Sequence, residues 1–198
     1  VIIFWAILVG YLLGSISFSY LIAKKVAGID IRQHGSGNAG ATNTLRVIGK
    51  GPAILVLLLD AFKGVAAVLI FAGLSAGDPE PTALAGLGAI LGHNWPVFFG
   101  FKGGKGVATT IGVLGTISFF PTLYSVLVAI ILIVLTRYVS LGSLILLALI
   151  PVFMYFRHDP SSYIILGVIV AILGIYRHRE NVKRLLNKTE RKLGGKKS

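Results

Sequence analysis

Long apolar runs dominate this chain, and they are candidate membrane-spanning helices. Runs at 1–23, 52–76, 82–99, 138–156 and 162–176 approach or exceed the roughly 20 residues needed for about 30 Å of hydrocarbon. Apolar residues make up 55% of the 198 and charged ones only 13%, well outside soluble norms. A soluble core of this length could not hide so much hydrocarbon. The first run has neither the basic start nor the small-residue cleavage site of a signal peptide, and it continues into Lys24 and Lys25 as an ordinary span does.

The stretch 107–136 would form a helix of ~45 Å at 1.5 Å per residue, too long for one crossing and short for two. Charge decides. If the chain turns back near Phe120, Pro121 and Thr122, every basic residue except Lys63 and Arg157 falls on one side, and Asp78, Glu80 and Asp159 fall on the other. A single crossing would divide the basic residues between the two faces. The positive-inside rule therefore gives an all-α integral membrane protein with seven transmembrane helices, N-terminus outside and C-terminus cytoplasmic, with helices four and five short. Residues 1–198 read as a single polytopic membrane domain, with 177–198 a basic tail. Val182, Leu185, Leu186 and Leu193 recur there at helical spacing, so the tail is expected to lie as an amphipathic helix on the anionic inner leaflet.

Three strings interrupt the hydrocarbon: SGNAGATNTLR at 36–46, GFKGGKG at 100–106 and RHRENVKR at 177–184. Seven spans put all three on the cytoplasmic face. Glycine lets the backbone approach an anion closely, and Ser, Asn, Lys and Arg supply donors, so the strings suit a phosphate ligand. The middle string is not a nucleotide-binding P-loop, because Phe99 and Gly106 stand where that pattern needs Gly and Ser or Thr. It is a glycine turn with Lys105 at the entrance of a helix beginning near Val107, where unpaired amides and the helix dipole favour an anion. The first string offers Ser36, Asn38, Thr42 and Asn43, and an arginine, Arg46, able to grip phosphate through two parallel hydrogen bonds. In the third, His178 and Asn181 stand three apart and share a helix face, and His178 is a candidate general base.

Asp60 and Lys63 lie inside the second span, where an ion pair is expected. His93, Asn94, Trp95 and Pro96 end the third helix early. The net charge of +12 belongs to a cytoplasmic membrane face rather than to nucleic acid, and without cysteine no acyl-thioester can form on the enzyme. A transporter or channel for a phosphorylated metabolite is the rival reading. It calls for midplane charges on several helices, and only Asp60 and Lys63 qualify.

The strings SGNAGATN…R, GHNWP…FKGGKGVATT and HRENVKRL, in this order, together with YLLGS at 11–15 and DAFKG at 60–64, resemble the bacterial acyl-phosphate:glycerol-3-phosphate acyltransferases, the PlsY family. The resemblance covers essentially the whole chain. It implies transfer of a fatty acyl chain from acyl phosphate to the 1-hydroxyl of glycerol 3-phosphate, giving lysophosphatidic acid and orthophosphate. It implies a monomer in the bacterial inner membrane, needing no cofactor or metal. The catalytic set would be Ser36, Lys105, His178 and Asn181, and the substrate-binding set would add Asn38, Thr42, Arg46, Gly103 and Gly104. No histidine here is followed five residues later by aspartate, the pair used by another kind of glycerolipid acyltransferase.

Overall fold

A computed structural model of the chain describes residues 1–194. Lys196 and Lys197 of the basic tail lie outside the described residues. All regular structure among them is helical, and two compact units form, Val1–Ile117 and the segment from Ser118 onward.

The first unit contains α1 (Ile2–Gly14), α2 (Phe18–Ala27), α3 (Ala41–Val47), α4 (Lys50–Leu74), α5 (Pro79–Asn94) and α6 (Val107–Ile117). Its helix ends follow local chemistry. Lys24 and Lys25 occupy the last turn of α2, where they oppose the dipole, and Gly28 closes that helix at φ 69°. The Asp78 carboxylate accepts the Glu80 N–H at 3.0 Å and Pro79 opens α5, a pairing of N-cap and first-turn proline that suits a helix start. That helix stops at Asn94 because Pro96 disfavours helical geometry in the residue before it.

Small residues bring the backbones together. On α1, Gly10 and Gly14 lie against the carbonyl oxygens of Ala85 and Ala89, and on α5, Gly88 and Gly92 lie against those of Ile7 and Tyr11. Between α4 and α6, Gly112 rests on the Ala61 carbonyl. Hydrocarbon gives apolar helices no hydrophobic reason to associate, so this close packing of small residues is the main source of their attraction. Leu57, Leu58, Phe62 and Leu69 of α4 remain exposed, as lipid-facing side chains do.

The second unit contains α7 (Phe119–Thr136), α8 (Val139–Phe156), α9 (Ser161–Arg177) and α10 (Arg179–Leu186). The long apolar stretch breaks at Ser118 (φ −147°, ψ 75°), slightly before the expected turn. Pro121 therefore falls in the first turn of α7, where its missing N–H costs nothing. The buried Ser118 hydroxyl donates to the Asp159 carboxylate.

Four segments are long and apolar enough to cross a membrane: Ile2–Ala27 with its break at Ser15–Ser17, α4, α7 and α8. A fifth is α9 with α10, bent by 62°. The helices at 79–94 and 107–117 have 16 and 11 residues and fall short of that length. Two expectations are corrected. The fifth expected helix is not short, since α7 has the same 18 residues as α8; placing the break at Ser118 gives all the shortening to α6. Nor does helix continue along the tail: α10 ends at Leu186, and Leu193 instead donates its N–H to the Arg137 carbonyl at 2.7 Å.

Candidate active site

The first string is folded by its own asparagine. Asn43 is 1% exposed; its Oδ1 accepts the Ser36 N–H at 2.8 Å, and its Nδ2 donates to the carbonyls of Ile31 and His34 at 3.1 and 3.0 Å. Its polar atoms are spent on the loop, so Asn43 shapes the turn. Gly35 and Gly37, at φ 64° and 71°, take the left-handed conformations that this curl requires. Gly35 also leaves room for the Asn43 carboxamide. The turn presents Ser36 to solvent, holds Asn38 half-buried, and leads into α3, whose first turn carries Thr42 and whose last carries Arg46.

The second string departs from the end of α5. Tyr11 on α1 donates its hydroxyl to the Trp95 carbonyl at 2.7 Å, fixing the point of departure. The chain turns through Gly100 (φ 65°) and Phe101 (φ 59°) and returns to α5, where the Gly104 N–H meets the His93 carbonyl at 3.0 Å. A Cβ on Gly104 would strike the His93 ring and stand 2.6 Å from the Ala39 carbonyl oxygen. Gly104 is therefore where the first and second strings touch. Half-buried Lys105 follows at once, and Gly106 (φ 81°) delivers the chain into α6. The side-chain oxygens of Asn94 and Thr109 are buried here without a hydrogen-bond partner among the described residues.

Arg32, which the sequence reading did not single out, ties the same two loops together. Its guanidinium meets both oxygens of Asp30, at 2.7 Å in the shortest contact, and donates to the Phe99 carbonyl at 2.7 Å. The hydrogen bond from Arg32 holds the Asp30 carboxyl below its usual range. An open cleft of about 590 Å³ is bounded by these two residues with Tyr20, Phe98, Phe99 and Lys102.

In the second unit, His178 occupies the bend between α9 and α10 and is 3% exposed; its Nδ1 lies 2.8 Å from the Gly174 carbonyl. Asn181 follows one turn later, its N–H on the His178 carbonyl at 2.8 Å. The expected shared face thus begins at a helix break. The Asn181 carboxamide donates to Glu190 Oε1 at 2.7 Å, and the same carboxylate accepts from Ser140 at 2.9 Å and from Arg184 at 2.8 Å. Burial alone would raise the Glu190 pKa, but the hydrogen bonds from Arg184, Asn181 and Ser140 outweigh it and hold the carboxyl below its ordinary range. Nothing in the sequence marked Glu190, one of two acids in a basic tail. Among the described residues no three His, Cys, Asp or Glu side chains gather as metal ligands would.

Residues 4–188 match the family model described as glycerol-3-phosphate acyltransferase. The chain belongs to that family. Among its relatives, the glycerol-3-phosphate acyltransferase of Shouchella clausii (strain KSM-K16) is 60% identical over 96% of this chain and 95% of its own length. That of Halalkalibacterium halodurans is 56% identical over 98% of this chain and 97% of its own. The crystal structure of PlsY (YgiH), an integral membrane glycerol 3-phosphate acyltransferase, in its glycerol 3-phosphate form superposes with a TM-score of 0.91 at 42% identity, covering 97% of this chain and 96% of that one. Its lysophosphatidic acid form gives 0.89 at the same identity, covering 97% and 95%. As a glycerol-3-phosphate acyltransferase this chain is an integral membrane enzyme, and the transporter reading is left without support.

Proposed function

We propose that this enzyme moves a fatty acyl chain from acyl phosphate to the 1-hydroxyl of glycerol 3-phosphate, releasing lysophosphatidic acid and orthophosphate at the cytoplasmic face of a bacterial inner membrane. The observation that carries the reading is the likeness, over nearly the whole chain, to a structure described as the glycerol 3-phosphate form of such an enzyme. Physical chemistry agrees with it. One substrate is a small dianion and the other carries hydrocarbon, so cationic glycine loops at the end of apolar helices serve both.

In this reading Ser36, Asn38, Thr42, Arg46, Lys105 and the amides of Gly103 and Gly104 bind phosphate. The acceptor hydroxyl attacks the acyl carbon, the bond from that carbon to the phosphate oxygen breaks, and the electron pair leaves on orthophosphate. Acyl phosphate is a mixed anhydride with a good leaving group, so orientation and charge stabilisation supply most of the catalysis. His178 and Asn181 are assigned to orienting the reacting groups. With the His178 Nδ1–H donated to Gly174, the basic lone pair of the neutral ring is on Nε2. The hydroxyl proton passes either to that nitrogen or to a substrate phosphate oxygen, whose second pKa is about 6. A pH–rate profile of His178→Ala separates the two: loss of the acid limb assigns the proton to His178, and its retention assigns it to the substrate.

Seven crossings with the N-terminus outside complete the proposal, α5 and α6 serving as the shorter ones, and the enzyme acts as a monomer forming one polytopic membrane domain. The test of function uses purified protein in detergent with glycerol 3-phosphate and either acyl phosphate or acyl-coenzyme A, without a membrane gradient and with a chelator present. Orthophosphate released in step with lysophosphatidic acid is the expected result. Thiol release coupled to product from acyl-coenzyme A alone would overturn the donor assignment.

A further inference from the structure

The buried ion pair of α4 has a third partner that charge neutralisation does not require. Asp60 and Lys63 are 2% and 4% exposed, and their charged groups stand 2.9 Å apart. Lys63 also donates to the Ile16 carbonyl at 2.8 Å, in the break between α1 and α2. The Asp60 oxygen that meets Lys63 lies 3.5 Å from Nδ1 of His93, which is itself buried near the end of α5. The other ring nitrogen of His93, Nε2, lies against Gly104 so closely that a Cβ there would collide with it. The loop's main chain is held by the same residue, through the Gly104 N–H on the His93 carbonyl.

A glycine loop that offers its amides to an anion has little side-chain packing of its own to hold it in place. Something beneath it must fix its height and angle, because misplacement by about 1 Å can cost on the order of a hundredfold in rate. His93 occupies that position, and its Nδ1 faces the Asp60 carboxylate at 3.5 Å, within ion-pair reach. A carboxylate holding one imidazole nitrogen fixes the orientation of the other. All three side chains are buried, so the electrostatic attraction among them is stronger than it would be in water. Were the pair present only to neutralise itself, apolar residues of similar volume could replace it.

We propose that Asp60, with Lys63 as its counter-ion, is a positioning residue that acts through His93 to set the Gly103–Lys105 loop for phosphate. The proposal rests on the reading of that loop as a phosphate site. Steady-state kinetics of purified protein with acyl phosphate and glycerol 3-phosphate test it. The double variant Asp60→Asn/Lys63→Met removes the pair without leaving one charge buried alone. His93→Gln places an amide near the Nε2 position and gives up the nitrogen that meets Asp60. Each is expected to raise KM for glycerol 3-phosphate about tenfold while kcat stays within about threefold. Combining all three changes should raise KM no further than the larger of the two effects if Asp60 reaches the loop through His93. A wild-type KM in either variant, or effects that multiply in the combined one, overturns the proposal. If the α4 variant does not yield monodisperse protein, the KM of His93→Gln decides alone. Lys105→Ala is measured in parallel, and a wild-type KM and kcat there would sink the phosphate reading of the loop, whatever the coupling shows.

Discussion

A single methyl group at Gly104 would meet the His93 ring and the Ala39 carbonyl at once, so the spacing of the two loops is set at this residue by the lack of a side chain. Neither neighbour can give way cheaply, one being backbone and the other a buried ring. Gly104→Ala is expected to lower kcat/KM for glycerol 3-phosphate by tenfold or more, about 1.4 kcal/mol, in protein that still purifies intact. If, as proposed, both act through charge aimed at phosphate, Lys105→Ala and Arg46→Ala should each abolish most turnover without loss of monodispersity. Arg46→Lys should also be damaging, as an ammonium lacks the two-pronged fork. Wild-type rates in any of these would remove that residue from the site. Glycine beside cationic and hydroxyl residues is visible in a sequence because its composition is unusual among apolar runs. Arg32, Asn43 and Glu190 work through partners distant in sequence or through main-chain carbonyls, and nothing local marks such pairings. Glu190 has a pH consequence. Its folded pKa lies below its unfolded one, so its contribution to stability is complete above the ordinary carboxylate range near 4.3 and is lost as pH falls through the folded value. Thermal unfolding between pH 7 and 3 should show wild type losing more stability on acidification than Glu190→Gln, and parallel curves would refute this.

The helices were legible where length and apolar content spoke together, as in α4, α8 and α9. The breaks were less so. The turn at Ser118 carries no glycine, and the proline nearby belongs inside α7, so a sequence reading places the bend too late. The amphipathic spacing of Leu185, Leu186 and Leu193 suggested a longer helix, but Glu190 draws the chain back toward Ser140 and Asn181, and those hydrogen bonds outweigh propensity. The glycine seam between α1 and α5 makes a prediction at this scale. Gly92→Val would drive its side chain into the Tyr11 carbonyl and should cost about 1–3 kcal/mol, read as a lower Tm in detergent. Gly73→Ala, near the end of α4 where a Cβ meets nothing within 4 Å, should leave Tm unchanged or slightly higher, because alanine is the better helix former. Equal effects of the two changes would show that packing at the seam does not hold these helices together.

For the molecule as a whole, length and charge give different information about the path through the bilayer. Length identifies four crossings and a fifth with a bend, and it leaves out α5 and α6, whose ~24 Å and ~17 Å fall below the hydrocarbon thickness. Charge includes them. Counting both as crossings places Lys50, Lys102 and Lys188 on one face and Glu80 on the other; counting only one puts Arg137 and the tail opposite Lys50, and counting neither moves Lys102 and Lys105 to the face of Glu80, each against the positive-inside rule. Short helices are tolerable where neighbours rather than lipid surround them, and both are largely buried: α5 lies against α1 and α4 through glycines and alanines, and α6 against α4. The chain has no cysteine, so single cysteines at these four exposed positions give an unambiguous map. An impermeant thiol reagent applied to intact cells should label Glu80→Cys, and should reach Lys50→Cys, Lys102→Cys and Lys188→Cys only after lysis. Labelling of any of the last three from outside would break the seven-crossing arrangement. It would also remove the physical reason for placing Ser36 and Lys105 in the compartment that holds a water-soluble phosphate substrate.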